Sequence, residues 1–294
     1  MKKSNKRQSR HKRSSSQNLM IFQKRDIEIL KAVFQFRYLT RSQIQNLFNM
    51  KSVTRVNIRL RKLYDNKFLD RYYKPMLVGS SEAIYTIGLN ACDIVAESVG
   101  LSTEEVKRRR RLDQITKSKF LEHNLKVNDF RIVLKNDINS NAGFELNKWL
   151  DARDCEVKFK YRKSGKETTS SIKPDGYFEV LYQKKLYSFY VEIDLSTSSH
   201  SKIKEKLDNY YQFKNNNLFK QKYGRETFYV LIITKTGKRA DNLHQLSNQY
   251  NSDIFWLTSF EKLSDNILFG KIWKRSGQSE ERGLFQTPKV RIIR

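Results

Sequence analysis

The 294-residue chain has only two cysteines, Cys92 and Cys155, far apart and without neighbouring metal-ligand partners. That argues against a disulfide framework or a cysteine metal site, and fits reduced thiols in the cytoplasm. No apolar run approaches about 18 residues, so no transmembrane helix and no membrane insertion are expected. The opening stretch, MKKSNKRQSRHKRSSSQN, is basic but lacks an apolar segment, so a secretory signal is not expected. No G-x-x-x-x-G-K loop followed by Ser or Thr is present, which speaks against an ATPase. Acids are scarce beside bases: 31 Asp and Glu against 58 Lys and Arg give a net charge of +27. Such an excess predicts a polyanionic partner, nucleic acid or an anionic membrane surface.

What is present divides the chain into segments. Residues 1–18 are rich in Lys, Arg and Ser and read as a disordered basic arm, able to add phosphate contacts to DNA binding. Residues 19–100 read as the first folded domain. Ile27, Leu30 and Phe34 mark one helix, and Thr40-Arg-Ser-Gln43 is a capping-box pattern that starts a second. Ser52 can cap a third, with Val53, Val56, Leu60 and Leu63 as its buried stripe. Two strand-like runs follow, Leu69 to Tyr73 and Ala83 to Ile87. Three helices and a hairpin make the order of a winged helix-turn-helix, whose third helix enters the major groove. The other faces of that helix carry Arg55, Asn57, Arg59, Arg61 and Lys62, side chains that can contact guanine and adenine edges or phosphates.

Residues 101–116 are charged and read as a linker, and 117–270 as a second, α/β domain. A helix runs from Lys117 to about Ile138, and Phe144 to Leu150 reads as a strand. The polar stretch from Lys158 to Ser171 reads as a mobile loop. Phe228 to Thr234 reads as an interior strand, 238–250 as a helix and Ile254 to Leu257 as a last strand, before a weakly patterned basic tail at 271–294.

The stretch from 172 to 213 organises the second domain. Pro174-Asp175 opens a β-rich run, a short turn at Gln183-Lys184-Lys185 follows, and Tyr187 to Asp194 alternates. Phe189, Val191 and Ile193 fall on one face, Tyr190, Glu192 and Asp194 on the other. In the helix that follows, Ile203, Leu207, Tyr210 and Tyr211 form an apolar stripe, with Lys206 on or beside it. The hairpin can therefore bring Asp175, Glu192 and Asp194 together, with a lysine pointing in from the helix. Hard oxygen ligands of this kind suit Mg²⁺ or Mn²⁺, which can make hydroxide and offset charge in phosphodiester cleavage. Solvated carboxylates on a two-faced sheet are the plainer alternative. Tyr210 and Tyr211 could in principle act as nucleophiles, but their place on the stripe favours packing.

This arrangement resembles the PD-(D/E)xK nuclease fold. Pro174-Asp175 matches the first half of that motif. Glu192-Ile193-Asp194 occupies the second half, with Asp194 where the lysine is expected. Some members carry the lysine on the next helix, and Lys206, then Lys202, is placed for that. From Lys24 to Tyr250 the chain looks like the replication-relaxation family of plasmid proteins, which includes MobC-type relaxases. The likeness rests on Arg25-Asp26, Ile29-Leu30, Tyr38-Leu39-Thr40, Arg59-Leu60, Leu63, Leu69 and Arg71. It continues through His123-Asn124-Leu125, Val127-Asn128, Pro174-Asp175-Gly176, Glu192-Ile193-Asp194, Ser196-Thr197, Lys206-Leu207 and Tyr210. Where the family pattern often reads E-x-D-R-G-T, Leu195 and Ser196 stand in place of the Arg-Gly pair, and the acid after Trp149 could be Asp151 or Asp154. The more familiar relaxases use a His-hydrophobe-His metal site. The four histidines here, His11, His123, His200 and His244, form no such pair.

The resemblance implies a protein that binds double-stranded plasmid or mobile-element origin DNA and nicks it, in replication initiation or conjugative mobilisation. Asp175, Glu192 and Asp194 would hold the metal, Lys206 would assist catalysis, and other replication or transfer proteins are possible partners. The alternative is a non-catalytic origin-binding initiator, accessory protein or transcriptional regulator built on a nuclease-like fold.

Overall fold

The computed structural model describes residues 9–14, 20–114, 118–196, 199–264 and 266–286. Parts of the expected basic arm (1–8 and 15–18), linker (115–116) and tail (287–294), with Thr197 and the expected helix start at Lys117, lie outside the described residues. The chain divides into two units, residues 1–129 and 130–294.

The first unit runs α1 (Lys24–Phe36), β1 (Leu39–Thr40), α2 (Arg41–Leu47), α3 (Val53–Asp65), β2 (Leu69–Tyr73) and β3 (Ala83–Ile87). It continues with α4 (Cys92–Val99), α5 (Thr103–Gln114) and the first half of α6 (Ser118–Ser140). The three strands form an antiparallel sheet in the order β1-β3-β2. The capping box is formed: Gln43 N donates to Thr40 Oγ1 at 3.1 Å, and Thr40 N donates to Gln43 Oε1 at 3.0 Å. Ser52 Oγ accepts from Arg55 N at 3.3 Å and starts α3. Val56, Leu60 and Leu63 of α3 are buried with Ile29, Leu30, Val33 and Ile44, as helical spacing requires. Residues 103–114, charged and without an apolar stripe, form α5.

The second unit takes the rest of α6, then β4 (Phe144–Asp151), β5 (Val157–Lys163), β6 (Lys166–Ile172), β7 (Gly176–Tyr182) and β8 (Lys185–Asp194). Next come α7 (His200–Asn215), α8 (Leu218–Tyr223), β9 (Tyr229–Thr234), α9 (Gly237–Ser247), β10 (Phe255–Ser259), β11 (Trp273–Arg275) and β12 (Glu281–Arg282). Seven strands form one mixed sheet in the order β12-β11-β10-β9-β8-β7-β4. β8, β9 and β10 are parallel and the other pairings antiparallel. This is the mixed α/β architecture that the order of elements predicts. Parallel neighbours need crossovers, and α7 with α8, then α9, supply them. Ile203, Leu207, Tyr210, Phe213, Leu243 and Leu246 of these helices share one core with Tyr177, Tyr190, Val230 and Ile232 of the sheet. On the other face, Phe130 of α6 packs on Phe178, and Phe285 meets Phe189.

Two expectations need correction. Residues 158–171 are not a loop: β5 and β6 pair from Val157↔Ile172 to Lys163↔Lys166 as a separate two-stranded sheet. The tail beyond Gly270 adds β11 and β12, which extend the main sheet, because Trp273 is fully buried and anchors the segment. Among the described residues no helix is long and apolar enough to cross a membrane.

Candidate functional site

The alternation read in β8 positions the site. Ser188, Tyr190, Glu192 and Asp194 face α7 and α9, and both acids are buried at 5% exposure. The turn before β8 is tight because Gln183 and Lys184 both take positive φ, the geometry of a type I′ hairpin. That sets the register Gly176↔Val191 and places Asp175 beside the end of β8. Asp175 Oδ2 accepts from Ile193 N at 2.8 Å, while Asp175 N donates to Val191 O at 2.9 Å. Gly176 lets Trp149 lie close: a Cβ there would sit 2.9 Å from the indole.

Lys206, on the second turn of α7, reaches Glu192 Oε2, and Tyr210 donates its hydroxyl to Glu192 Oε1 at 2.7 Å. Burial, the largest cause, pushes the Glu192 carboxyl up; the Asp175 charge adds to this, while Lys206 and Tyr210 oppose it. Burial works to lower the Lys206 ammonium, but Glu192, Asp175 and Asp194 outweigh it and hold its pKa above the ordinary value. Tyr210 is pushed well up by burial and by the neighbouring Glu192, so its hydroxyl stays protonated. The Tyr211 ring lies tilted against Tyr250, 5.4 Å between centroids. Lys202 is exposed in the first turn of α7. Between α7 and the sheet lies a cavity of about 30 Å³, lined by Glu192, Asp194, Lys206 and Tyr210 with apolar neighbours. That is room for about one water.

Asp194 is held differently. It accepts from Arg239 Nε of α9 at 2.7 Å and from Ser196 N at 3.0 Å. Asp151, at the end of β4, accepts from Trp149 Nε1 at 2.9 Å and pairs with Arg131 at 3.4 Å. Trp149 stacks on Phe178, which puts Asp151 on the face opposite Glu192. Burial pulls Arg131 down to about 10 against the pull of Asp151. Asp154 is exposed. The structure thus brings Asp175, Glu192 and Lys206 together and gives Asp194 its own cation.

Asp175 and Glu192 are hard oxygen donors, and Mg²⁺ is commonly held by one or two carboxylates with water and substrate phosphate completing its shell. That chemistry fits these two residues. Among the described residues no group of three or more His, Cys, Asp and Glu side chains is gathered to hold a metal ion.

Sequence reasoning missed a second buried polar cluster on the same face. Glu179 accepts from Tyr177 at 2.7 Å, Arg225 at 2.7 Å and Asn147 at 3.0 Å. Its signal was available, since Tyr177 and Glu179 alternate with Phe178 and Val180. Arg131 and Arg239 had no such signal, because only the folded chain brings them to their acids.

In the first unit, Arg55, Asn57 and Lys62 are exposed on α3. Arg59 turns inward and clamps the fully buried Asp26. Arg61 pairs with Asp65 at 2.7 Å and donates to the carbonyls of Ser9 and Lys12 in the basic arm. Arg41, Asn57, Arg61, Arg71 and Tyr73 line a groove of about 520 Å³ between α3 and the β2–β3 hairpin.

A family model described as replication-relaxation matches residues 30–227. The chain belongs to the replication-relaxation family. That membership ties it to DNA processing in replication and covers both units, from α1 to the segment before β9. No curated protein matches the chain. Among solved structures, the restriction endonuclease FokI is similar at 12% identity and a TM-score of 0.30, over 84% of this chain and 44% of that one. FokI bound to DNA is similar at 12% identity and a TM-score of 0.28, over 83% and 45%. The chain thus spans less than half the length of those proteins. At these TM-scores the likeness carries no argument about fold or chemistry.

Proposed function

We propose that this member of the replication-relaxation family binds double-stranded origin DNA of a plasmid or mobile element and nicks it by metal-dependent phosphodiester cleavage. The step would serve replication initiation or conjugative mobilisation. The observation that supports it most is Lys206 of α7 reaching the buried Glu192 of β8, beside Asp175. This is the acid–acid–lysine set of a PD-(D/E)xK nuclease, with the lysine supplied from the helix. Asp175 and Glu192 would hold Mg²⁺ or Mn²⁺, which supplies hydroxide at neutral pH and offsets phosphoryl charge. Lys206 stabilises negative charge that builds on the phosphate oxygens in the transition state. Tyr210 fixes the Glu192 carboxylate, and the Ile193 N–H fixes Asp175. Asp194 holds the end of β8 to α9 through Arg239.

The first unit supplies the address. Its order α1-β1-α2-α3-β2-β3 is that of a winged helix-turn-helix, with α3 for the major groove. Arg55 and Asn57 are free to meet base edges, Lys62 a phosphate. Arg59 serves the fold.

The test is a nicking assay on supercoiled plasmid carrying the cognate origin, with Mg²⁺ or Mn²⁺, for wild type, Glu192→Ala and Glu192→Gln. Open-circular product from wild type alone, and only with metal, supports the nickase. A second reading, a non-catalytic origin-binding initiator, is favoured by Asp194 standing at the motif's lysine position and pairing with Arg239. Intact origin binding without product from any of the three proteins would establish it in place of the nickase.

A further inference from the structure

The β5–β6 hairpin ends three residues before Asp175, and its sequence is lopsided. From Val157 to Ile172 it carries Lys158, Lys160, Arg162, Lys163 and Lys166 against one acid, Glu167. One face is anchored. Val157, Phe159 and Ile172 are buried, and Phe159 packs on Phe213 of α7 at 5.3 Å. Asn209 of α7 accepts from Ser170 Oγ at 2.7 Å and donates to Ser171 O at 3.2 Å. The helix that carries Lys206 therefore also carries this hairpin.

The other face is cationic. Lys158, Lys160 and Arg162 alternate with the anchored residues and are exposed. Alternate strand residues lie about 6.7 Å apart, close to the step between successive phosphates on an extended DNA strand. At the tip, Ser164 and Gly165 both take positive φ, and this tight turn sets Lys163 directly across from Lys166. Like charges opposite each other destabilise a hairpin, and an anion between them would reverse that cost. Lys160 meets Glu167 at 2.9 Å, but both are exposed, so the pair holds weakly.

We infer that the β5–β6 hairpin is a ribbon that tracks DNA phosphates and holds a strand beside Asp175, Glu192 and Lys206. The inference rests on the proposal that the second unit acts on DNA. Charge complementarity selects the partner, and the hairpin's position next to Asp175 gives the contact its purpose.

The test uses the full chain and a short fluorescent duplex without origin sequence, in the absence of metal. The slope of log affinity against log salt is compared between wild type and the Lys158→Ala, Lys160→Ala, Arg162→Ala triple variant. Each lost phosphate contact lowers the slope by about 0.9, so the triple variant is expected to lose up to about 2.7. A control, Lys184→Ala with Lys185→Ala on the β7–β8 turn at the opposite end of the sheet, is expected to keep the wild-type slope. An unchanged slope in the triple variant overturns the inference, as does an equal drop in slope per charge removed in the control. A larger loss on RNA duplex than on DNA duplex overturns the choice of DNA. Binding is read without cleavage, so the two proposals fail separately. A wild type that never nicks, with a ribbon variant that still loses slope, removes the nickase and keeps the ribbon.

Discussion

Asp26 and Glu192 are both buried carboxylates answered by a cation from a helix, yet they are built for different ends. Asp26 is 1% exposed at its side chain, and Arg59, its own side chain only 17% exposed, grips both carboxylate oxygens. The Gln23 N–H adds a third donor at 2.6 Å. A planar fork on a carboxylate fixes geometry and closes the site. Glu192 instead meets an ammonium whose side chain is 44% exposed, beside a cavity of about 30 Å³. A point charge on a flexible stem can shift when a ligand arrives. The first pair is a rivet; the second is a carboxylate left within reach of something else.

The largest expected effect breaks the rivet. Asp26→Ala leaves Arg59 facing a vacated acid and should cost about 3–5 kcal/mol of stability. Urea unfolding reads this directly, and a loss below about 1 kcal/mol would erase the distinction between the two pairs. Next, Glu192→Gln should lower nicking by about 100-fold or more while melting within a few degrees of wild type. Collapse of the fold instead would make Glu192 a second rivet. Smaller still, Arg55→Ala should cost about 1–3 kcal/mol of origin binding and relax sequence preference. Lys62→Ala should weaken all DNA alike and lower the salt slope by about 0.9, as competition binding across salt would show.

The smallest effect concerns Glu179. Burial works to raise its pKa, but Tyr177, Arg225 and Asn147 outweigh it and hold the carboxyl below the ordinary value. A carboxyl depressed by folding stabilises above its unfolded pKa, and the gain fades as pH falls through the lower folded value. Glu179→Gln should therefore narrow the stability difference between about pH 5 and pH 3. Melting curves at both pH values measure it. An unaltered pH dependence would mean the cluster contributes nothing through charge.

Much of this site was legible in the residues. The alternation of Tyr190, Glu192 and Asp194 with Val191 and Ile193 is a local property of a strand, and Lys206 sits at helical spacing from Ile203 and Tyr210. Arg59 was misleading for a physical reason. It lies between the buried positions 56, 60 and 63 and the open face, so only a tertiary partner, Asp26, decides which way it turns. Asp194 was equally ambiguous until α9 brought Arg239 to it. The β5–β6 hairpin was hidden differently. Val157, Phe159 and Tyr161 do alternate with cations, but the return strand, rich in Ser and Thr, has no apolar period, and pairing alone makes it a strand.

Gly176 has a consequence for how the protein can be watched. Because it lacks a side chain, the Trp149 indole rests against the residue next to Asp175, with Asp151 on its nitrogen and Arg131 over its ring at 4.7 Å. Trp256 and Trp273 are buried elsewhere in the sheet. The fold has thus placed a fluorophore one residue from the candidate site. In a chain whose other two tryptophans are replaced by phenylalanine, anything that settles on Asp175 announces itself as a change in colour.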